Sequence, residues 1–424
     1  MKKRILFLIS DTGGGHRAAA QAIAEAIQFL YPNRFDVIIE DLWKNHTPAP
    51  FRKLPNTYRW MVGPGLPLWK LMWATLAKPT LQQHILSDVE LFVRGNIVAY
   101  YRAVRPDLVV SVHPLLNHIA LESLRSISAT VPFVTVVTDL VTFHPTWIDP
   151  KVTRCLVPTA AAREQAIALG MAPAKIAVYG QPVSLKFAQR VADKATLRHQ
   201  LGFDLDRPTV LLLGGGEGSG QLRAIACAIA QKVPFAQMAV VTGRNQALYK
   251  ELKTLRWQIP THLYGFVDNM PELMHAADLV VTKAGPGTIS EALTAGRPMI
   301  LSDYIPGQET GNVQFVEENE VGRYAKQPEA IAALVHEWLQ PDHPQIAKMA
   351  RNAANLARPR AALSIAEDLS VLLEQSTQPL DQGEWVIPSS NFVVQEPQLH
   401  PLRLRSTAAA TALLQQSLTF RARK

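Results

Sequence analysis

Two cysteines, Cys155 and Cys227, among 424 residues leave neither a disulfide framework nor a cysteine-built zinc site, and they fit a reducing compartment. No apolar run approaches the roughly 18–20 residues that span a bilayer. The opening MKKRILFLIS imitates a signal peptide. Its apolar run Ile5–Ile9 nevertheless stops at once and meets Asp11-Thr12-Gly13-Gly14-Gly15, which reads as a first buried strand entering a turn. No repeat of solenoid length is present. With 48% hydrophobic residues the chain is too apolar for disorder, and its glycines and prolines are too scattered for a fibre. The length suits two or three domains.

Acidic residues are missing from two stretches. Between Leu42 and Ser87 there is none, against the cations Lys44, Arg52, Lys53, Arg59, Lys70 and Lys78. From Pro397 to the end there is none, against Arg403, Arg405, Arg421, Arg423 and Lys424. The formal net charge of +8 therefore sits in two patches on a mildly acidic body. Charge alone leaves nucleic acid, an anionic membrane and plain solubility open.

Short apolar runs alternate with helical patterns along the chain. They predict strands at Ile5–Ile9, Asp36–Ile39, Leu108–Val112, Phe133–Val137, Arg154–Val157, Ile176–Tyr179, Val210–Leu213, Met238–Thr242, Leu263–Tyr264, Leu279–Thr282 and Met299–Leu301. Several lack alternation, as parallel strands covered on both faces do. Helices at 17–30, 222–231 and 288–295 follow strand-plus-glycine turns. The rhythm runs to about Gly180 and restarts at Thr209. It predicts an α/β protein with two doubly wound, Rossmann-like domains facing a cleft: 1–182, interrupted by a stretch at 43–92, and 183–375. Residues 376–424 change to Gln, Pro, Ser and Thr and read as a basic tail, with 407–424 either a weak surface helix or disordered.

Three glycine-rich loops follow strands. The first, Ser10-Asp11-Thr12-Gly13-Gly14-Gly15-His16-Arg17, opens an Ala-rich helix. Glycines let the backbone turn and approach a ligand, and a helix start offers free N–H groups. His16 there suits a general base, because imidazole titrates near neutrality. Gly13-x-Gly15-x-x-Ala18, with Glu40 and Asp41 ending the second strand, also passes a loose dinucleotide fingerprint, so a nicotinamide-dependent oxidoreductase is a formal rival. The second loop is Gly214–Gly220 and the third is Lys283-Ala284-Gly285-Pro286-Gly287-Thr288-Ile289-Ser290-Glu291. Two such helix starts can point N–H groups at one diphosphate. Glu291 reads either as a ribose ligand or as an acid stabilising the helix start. Neither loop ends in Gly-Lys-Ser/Thr, which disfavours ATP or GTP hydrolysis. Asp204-Leu205-Asp206 spells a metal-binding motif but lies in a polar stretch where a turn role is expected.

The first loop, Pro106–Pro114, Thr138–Trp147, Gly214–Gly220, Lys283–Glu291 and Asp303-Tyr304-Ile305-Pro306-Gly307-Gln308-Glu309-Thr310-Gly311-Asn312 resemble monogalactosyldiacylglycerol synthases, in family order and over residues 4 to about 325. The resemblance implies a GT-B fold and inverting transfer of galactose from UDP-galactose to the 3-hydroxyl of 1,2-diacylglycerol, with UDP-glucose as the alternative sugar donor. It makes His16 the base, with Asp139 as the substitute. Gly215, Gly216, Gly285, Gly287 and Thr288 would hold the diphosphate, with Arg244 adding a cation. The backbone at Phe266 and Val267 would receive uracil, Glu291 the ribose, and Gln308 and Glu309 the sugar hydroxyls, with Asn312 a weaker candidate. Gly14, Gly15, His144, Pro145 and Trp147 fall on the acceptor side. No essential metal or cofactor is expected.

The stretch 43–92 carries Trp43, Trp60, Trp69 and Trp73 beside its unopposed cations. Apolar anchors interleaved with cations suit an anionic membrane surface. The same interleaving also suits stacking on single-stranded nucleic acid, or a lid whose aromatics are core. A water-insoluble acceptor favours the membrane, and the expected location is cytoplasmic with peripheral membrane attachment. The remaining non-enzymatic rival is a binding protein with a degenerate nucleotide fold.

Overall fold

Strands that are apolar on both sides need cover on both sides, and helices packed on both faces of two parallel six-stranded sheets provide it. The computed structural model describes residues 2–375 apart from 13, 128, 129, 190, 191, 217, 219 and 342. The tail at 376–424, with the surface helix or disordered segment expected at 407–424, lies outside the described residues. The first sheet comprises β1 (Lys3–Ile9), β2 (Phe35–Asp41), β3 (Leu108–Ser111), β4 (Phe133–Val136), β5 (Arg154–Val157) and β6 (Ile176–Val178), in the order β2-β1-β3-β4-β5-β6. The second comprises β7 (Thr209–Leu213), β8 (Gln237–Val241), β9 (Thr261–Tyr264), β10 (Leu279–Lys283), β11 (Met299–Asp303) and β12 (Gly322–Tyr324), in the order β12-β11-β10-β7-β8-β9. Eleven of these coincide with the expected strands. The twelfth, Gly-Arg-Tyr, is short and nowhere fully buried, so it carries no apolar run to read.

The period of two sorts each strand's residues between two cores. Leu6 and Leu8 face Val93, Ile97 and Tyr101 of the helix Pro79–Val104, while Ile5, Phe7 and Ile9 face Ile23 and Ile27 of the helix Gly15–Leu30. Leu211 and Leu213 likewise face one core of the second sheet, and Val210 and Leu212 the other. Each side chain so buried contributes about 1.5–3 kcal/mol.

Two assignments differ from expectation. The helix Ala361–Gln375 belongs by packing to the first sheet and not to the 183–375 domain. Its Ile365, Leu369 and Leu373 join the core under Ile5 and Phe7, and Asp368 pairs with Arg154 of β5 at 3.0 Å. The expected insertion at 43–92 in turn ends inside the crossover helix Pro79–Val104, whose Leu86, Val93 and Ile97 cover the sheet. What stands between β2 and that helix is a set of short helices, Leu42–His46, Leu54–Met61 and Leu66–Leu76.

In open α/β sheets ligands collect where the strand order reverses, outside the strands' carboxyl ends. Here the reversals fall between β1 and β3 and between β7 and β10. The first is flanked by the His16 loop and His113, and the second by the second and third glycine loops.

Candidate active site

At the first reversal Gly14 adopts φ +84°, which only glycine takes at little cost, and the helix Gly15–Leu30 starts directly behind it. His16 therefore stands in the first helical turn. Its Nδ1 lies 3.0 Å from Thr138 Oγ1, and its ring meets His113 edge-on with centroids 4.7 Å apart. Burial pushes its pKa down to about 4, opposed by a hydrogen bond to the backbone of Val112. The imidazole is neutral near pH 7 and able to accept a proton. His113, just past β3, is also held well below the ordinary histidine range by burial, with His16 adding to the shift. Its Nε2 lies 3.3 Å from Thr12 Oγ1, whereas its buried Nδ1 has no partner among the described residues.

The acids that suggested a dinucleotide are committed elsewhere. Asp41 is buried and accepts hydrogen bonds from the N–H groups of Asp11 and Lys44, capping the helix Leu42–His46. Glu40 accepts from Asn45 at 2.6 Å and from the Tyr100 hydroxyl at 3.4 Å.

Asp139 is brought into the same region but is not free. Trp147 Nε1 donates to its Oδ2 at 2.7 Å and Gln308 Nε2 to its Oδ1 at 3.3 Å. Burial pushes its carboxyl up to about 6, against the pull of those two bonds. Trp147 had been expected on the acceptor side, but it is fully buried and its indole holds Asp139. His144 is also buried. Its Nδ1 accepts from Thr146 N–H, capping the turn that Pro145 opens, and its Nε2 donates to the Trp73 carbonyl at 3.0 Å.

The four tryptophans of the insertion divide. Trp43 and Trp69 are buried, the former stacked on Phe51 and the latter edge-on to Tyr58, so the headgroup-level role expected of Trp69 does not fit. The Trp73 indole is half-buried and lies against Gly307, where an added Cβ would stand 3.2 Å from its Nε1. Trp60 alone of the four is exposed, at 54%.

At the second reversal the loops interlock through glycine. A side chain on Gly218 or Gly243 would collide with the facing backbone, and both have positive φ. Arg244 N–H donates to the Gly216 carbonyl at 2.8 Å, and its guanidinium covers the exposed Phe266 ring at 4.5 Å. An added Cβ would stand 3.5 Å from Arg244 Nη1 at Gly216 and 3.9 Å from it at Gly14. Arg244 thus bridges the two reversals. The helix Pro286–Thr294 opens beyond Gly285, with Gly287 and Thr288 in its first turn. Glu291, half-buried one turn further, has its carboxyl pushed up to about 7 by burial. Val267 packs at the margin of a core of the second sheet. Glu309 is buried, pairs with Lys283 Nζ at 3.1 Å and accepts from Ile305 N–H at 2.8 Å. Asn312 is buried and donates to the Ala284 carbonyl at 2.9 Å.

Lys283 was not singled out from the sequence. Its side chain reaches both glycine loops, because an added Cβ would stand 3.4 Å from its Cε at Gly215 and 3.5 Å from its Nζ at Gly285. A cation ending the strand before a glycine turn was the legible signal.

His118, Glu122 and Asp149 form the one metal-capable group among the described residues, with ligand atoms within 4.8 Å of one another. Their side chains already have protein partners. Lys151 Nζ donates to Glu122 at 2.7 Å, and His118 Nδ1 lies 3.0 Å from Asp149 Oδ2. His118 and Glu122 lie one turn apart on the helix Asn117–Arg125, and only Asp149, from a separate segment, was hidden from sequence spacing. Asp204 is a turn residue that accepts from Asp206 N–H at 2.9 Å and pairs with Arg207.

A family model described as monogalactosyldiacylglycerol (MGDG) synthase matches residues 16–183, and one described as glycosyltransferase family 28 C-terminal domain matches residues 209–368. The chain is 42% identical over 382 residues to the monogalactosyldiacylglycerol synthase of Spinacia oleracea, covering 88% of this chain and 73% of that one. It is 40% identical over 382 residues to synthase 1 of Arabidopsis thaliana, covering 88% and 72%. Among solved structures, Acinetobacter baumannii MurG superposes with a TM-score of 0.55 at 14% identity, covering 87% of this chain and 99% of that one. Anabaena HepE in complex with UDP gives 0.53 at 19% identity, covering 88% and 100%. The fold is GT-B, with two α/β halves of parallel six-stranded sheets.

Proposed function

Because the chain belongs to the monogalactosyldiacylglycerol synthase family, we propose that it transfers galactose from UDP-galactose to the 3-hydroxyl of 1,2-diacylglycerol with inversion, giving β-monogalactosyldiacylglycerol. The observation that carries this reading is Arg244, whose guanidinium lies against both the His16 loop and the second glycine loop. One side chain separates a neutral imidazole from a diphosphate cradle.

The chemistry follows from that placement. His16 removes the proton of the lipid hydroxyl, and the oxygen attacks the anomeric carbon from the face opposite UDP. The bond to UDP breaks as the new glycosidic bond forms, which inverts the centre. Negative charge grows on the leaving diphosphate, where the N–H groups at Gly215, Gly216, Gly287 and Thr288 and the cations Arg244 and Lys283 stabilise it. Glu291 binds ribose hydroxyls, the backbone at Phe266 and Val267 takes uracil, and Gln308 and Glu309 contact the sugar. These helix starts and side-chain cations neutralise a diphosphate without an ion, so no essential metal is assigned.

The acceptor comes from a membrane. No helix among the described residues is long and apolar enough to cross one. On the insertion, Trp60, Leu68 and Leu71 are exposed at 54%, 50% and 65%, beside exposed Lys53 and Lys70. Trp60 lies over Gly65, directly before the helix that carries the two leucines. This face docks peripherally on an anionic leaflet at the cytoplasmic side, each cation near the surface adding about 1 kcal/mol.

The deciding experiment incubates the protein with diacylglycerol vesicles, with and without anionic lipid, and radiolabelled UDP-galactose or UDP-glucose. Labelled β-galactolipid from UDP-galactose is expected. Preferential use of UDP-glucose overturns the sugar assignment, and NADH binding without UDP binding overturns the reaction class.

A further inference from the structure

Tyr58 lies outside every motif, on the insertion helix Leu54–Met61, yet its hydroxyl reaches the sugar-facing loop and donates to Gln308 Oε1 at 3.2 Å. The Gln308 amide is thereby held from both ends, since its Nε2 donates to Asp139 Oδ1 at 3.3 Å. Asp139 is fixed in turn by Trp147 Nε1 at 2.7 Å. Turned over, the amide would present its oxygen to a carboxylate, so the chain from Tyr58 to Trp147 favours one orientation. Burial, with the charges of Glu309 and Asp139 nearby, pushes the phenol's pKa up, so it stays protonated and donates. The ring is seated edge-on against Trp69 with centroids 5.6 Å apart.

The same insertion touches this loop at a second point. The Trp73 indole lies over Gly307, and the Trp73 carbonyl accepts from His144 Nε2 at 3.0 Å. Gly307 has φ +88°, so the loop is both bent and roofed at the residue before Gln308.

We propose that Tyr58 is a positioning residue for the transfer: its hydroxyl holds the Gln308 amide in the orientation that meets the sugar, so the sugar subsite is complete only when the insertion helices are seated. The role rests on the reading above in which Gln308 contacts the transferred sugar. It ties the sugar subsite to the element whose outer face carries Trp60 and Leu71.

The test uses the full chain with diacylglycerol vesicles and the variants Tyr58→Phe, Gln308→Ala and their combination. The phenylalanine keeps the ring against Trp69 and removes only the hydroxyl. Its KM for UDP-galactose should rise about three- to tenfold, the worth of one hydrogen bond. Affinity for UDP, which lacks the sugar, and co-sedimentation with vesicles should stay within twofold. Adding Tyr58→Phe to Gln308→Ala should cost nothing further. An unchanged KM in Tyr58→Phe while Gln308→Ala raises it, additive losses in the double variant, or an equal loss of UDP affinity each overturns the positioning role. An unaltered KM in Gln308→Ala overturns the sugar contact and the role built on it together.

Discussion

The two strand-order reversals share an architecture and differ in charge. At the first, between β1 and β3, stand two imidazoles that burial keeps neutral, His16 and His113, with hydroxyls from Thr12 and Thr138. At the second, between β7 and β10, stand glycine backbone, a helix start and the cations Arg244 and Lys283. A neutral polar pocket suits taking a proton from an uncharged hydroxyl, whereas a cationic one suits holding an anion as it departs. On the proposed reading, one layered scaffold carries base and anion site at its two strand-order reversals, and the residues after each strand decide which is which.

Removing the base should break the comparison most severely. His16→Ala is expected to lower kcat by about 10²–10⁴, the usual worth of general-base catalysis, while UDP affinity by titration calorimetry stays within twofold. Near-normal turnover would move the proton transfer to another group, with Asp139 next in line. The converse change is Arg244→Ala, which deletes a charge-assisted contact worth about 1.5–3 kcal/mol. UDP affinity should fall roughly 10- to 100-fold and the fall should shrink in high salt; unaltered affinity would remove Arg244 from the anion site.

The asymmetry between the reversals was legible where local chemistry announces itself. Gly14 with His16, the glycines around 215 and 287, and the unalternating runs of β3, β7 and β10 each state a backbone requirement within a few residues. Contacts between distant segments were not legible. Nothing near Trp147 says that its indole is spent on Asp139, and nothing near Tyr58 points to Gln308, 250 residues away. The tryptophans show the same limit. Composition placed four of them in one basic stretch, but helix geometry decided that Trp43 and Trp69 face inward while Trp60 faces out. The helix Ala361–Gln375 returned to the first sheet for a similar reason, since an apolar stripe does not state which sheet it covers.

A smaller effect tests the ribose ligand. Glu291 is half-protonated near neutral pH, because burial pushes its carboxyl up to about 7. Ribose hydroxyls donating to it stabilise the carboxylate, so UDP binding favours the deprotonated form and releases a proton. UDP affinity should therefore strengthen up to about tenfold from pH 6 to pH 8 and then level off. Uridine, which keeps the ribose and lacks the phosphates, should show the same trend, separating Glu291 from phosphate ionisation. In Glu291→Gln the trend with uridine should flatten; persistence of the slope in that variant would assign it to another group.

The smallest expected effect concerns the insertion's outer face, where the contrast is between buried and exposed aromatics on one element. Trp60→Ala with Leu71→Ala removes two exposed anchors and leaves the buried Trp69 and the Tyr58 hydroxyl in place. Partition onto vesicles containing anionic lipid, read by co-sedimentation, should fall about three- to tenfold for the loss of two partly inserted side chains. UDP affinity should not change. The corresponding substitution Trp43→Ala creates a cavity in a core and should lower thermal stability by the several kcal/mol typical of buried aromatics, without a specific loss of vesicle binding in the protein that stays folded. Should the exposed pair leave partition untouched, the surface that collects the acceptor lies elsewhere, and the exposed leucines and Trp60 are then simply the outer side of a lid.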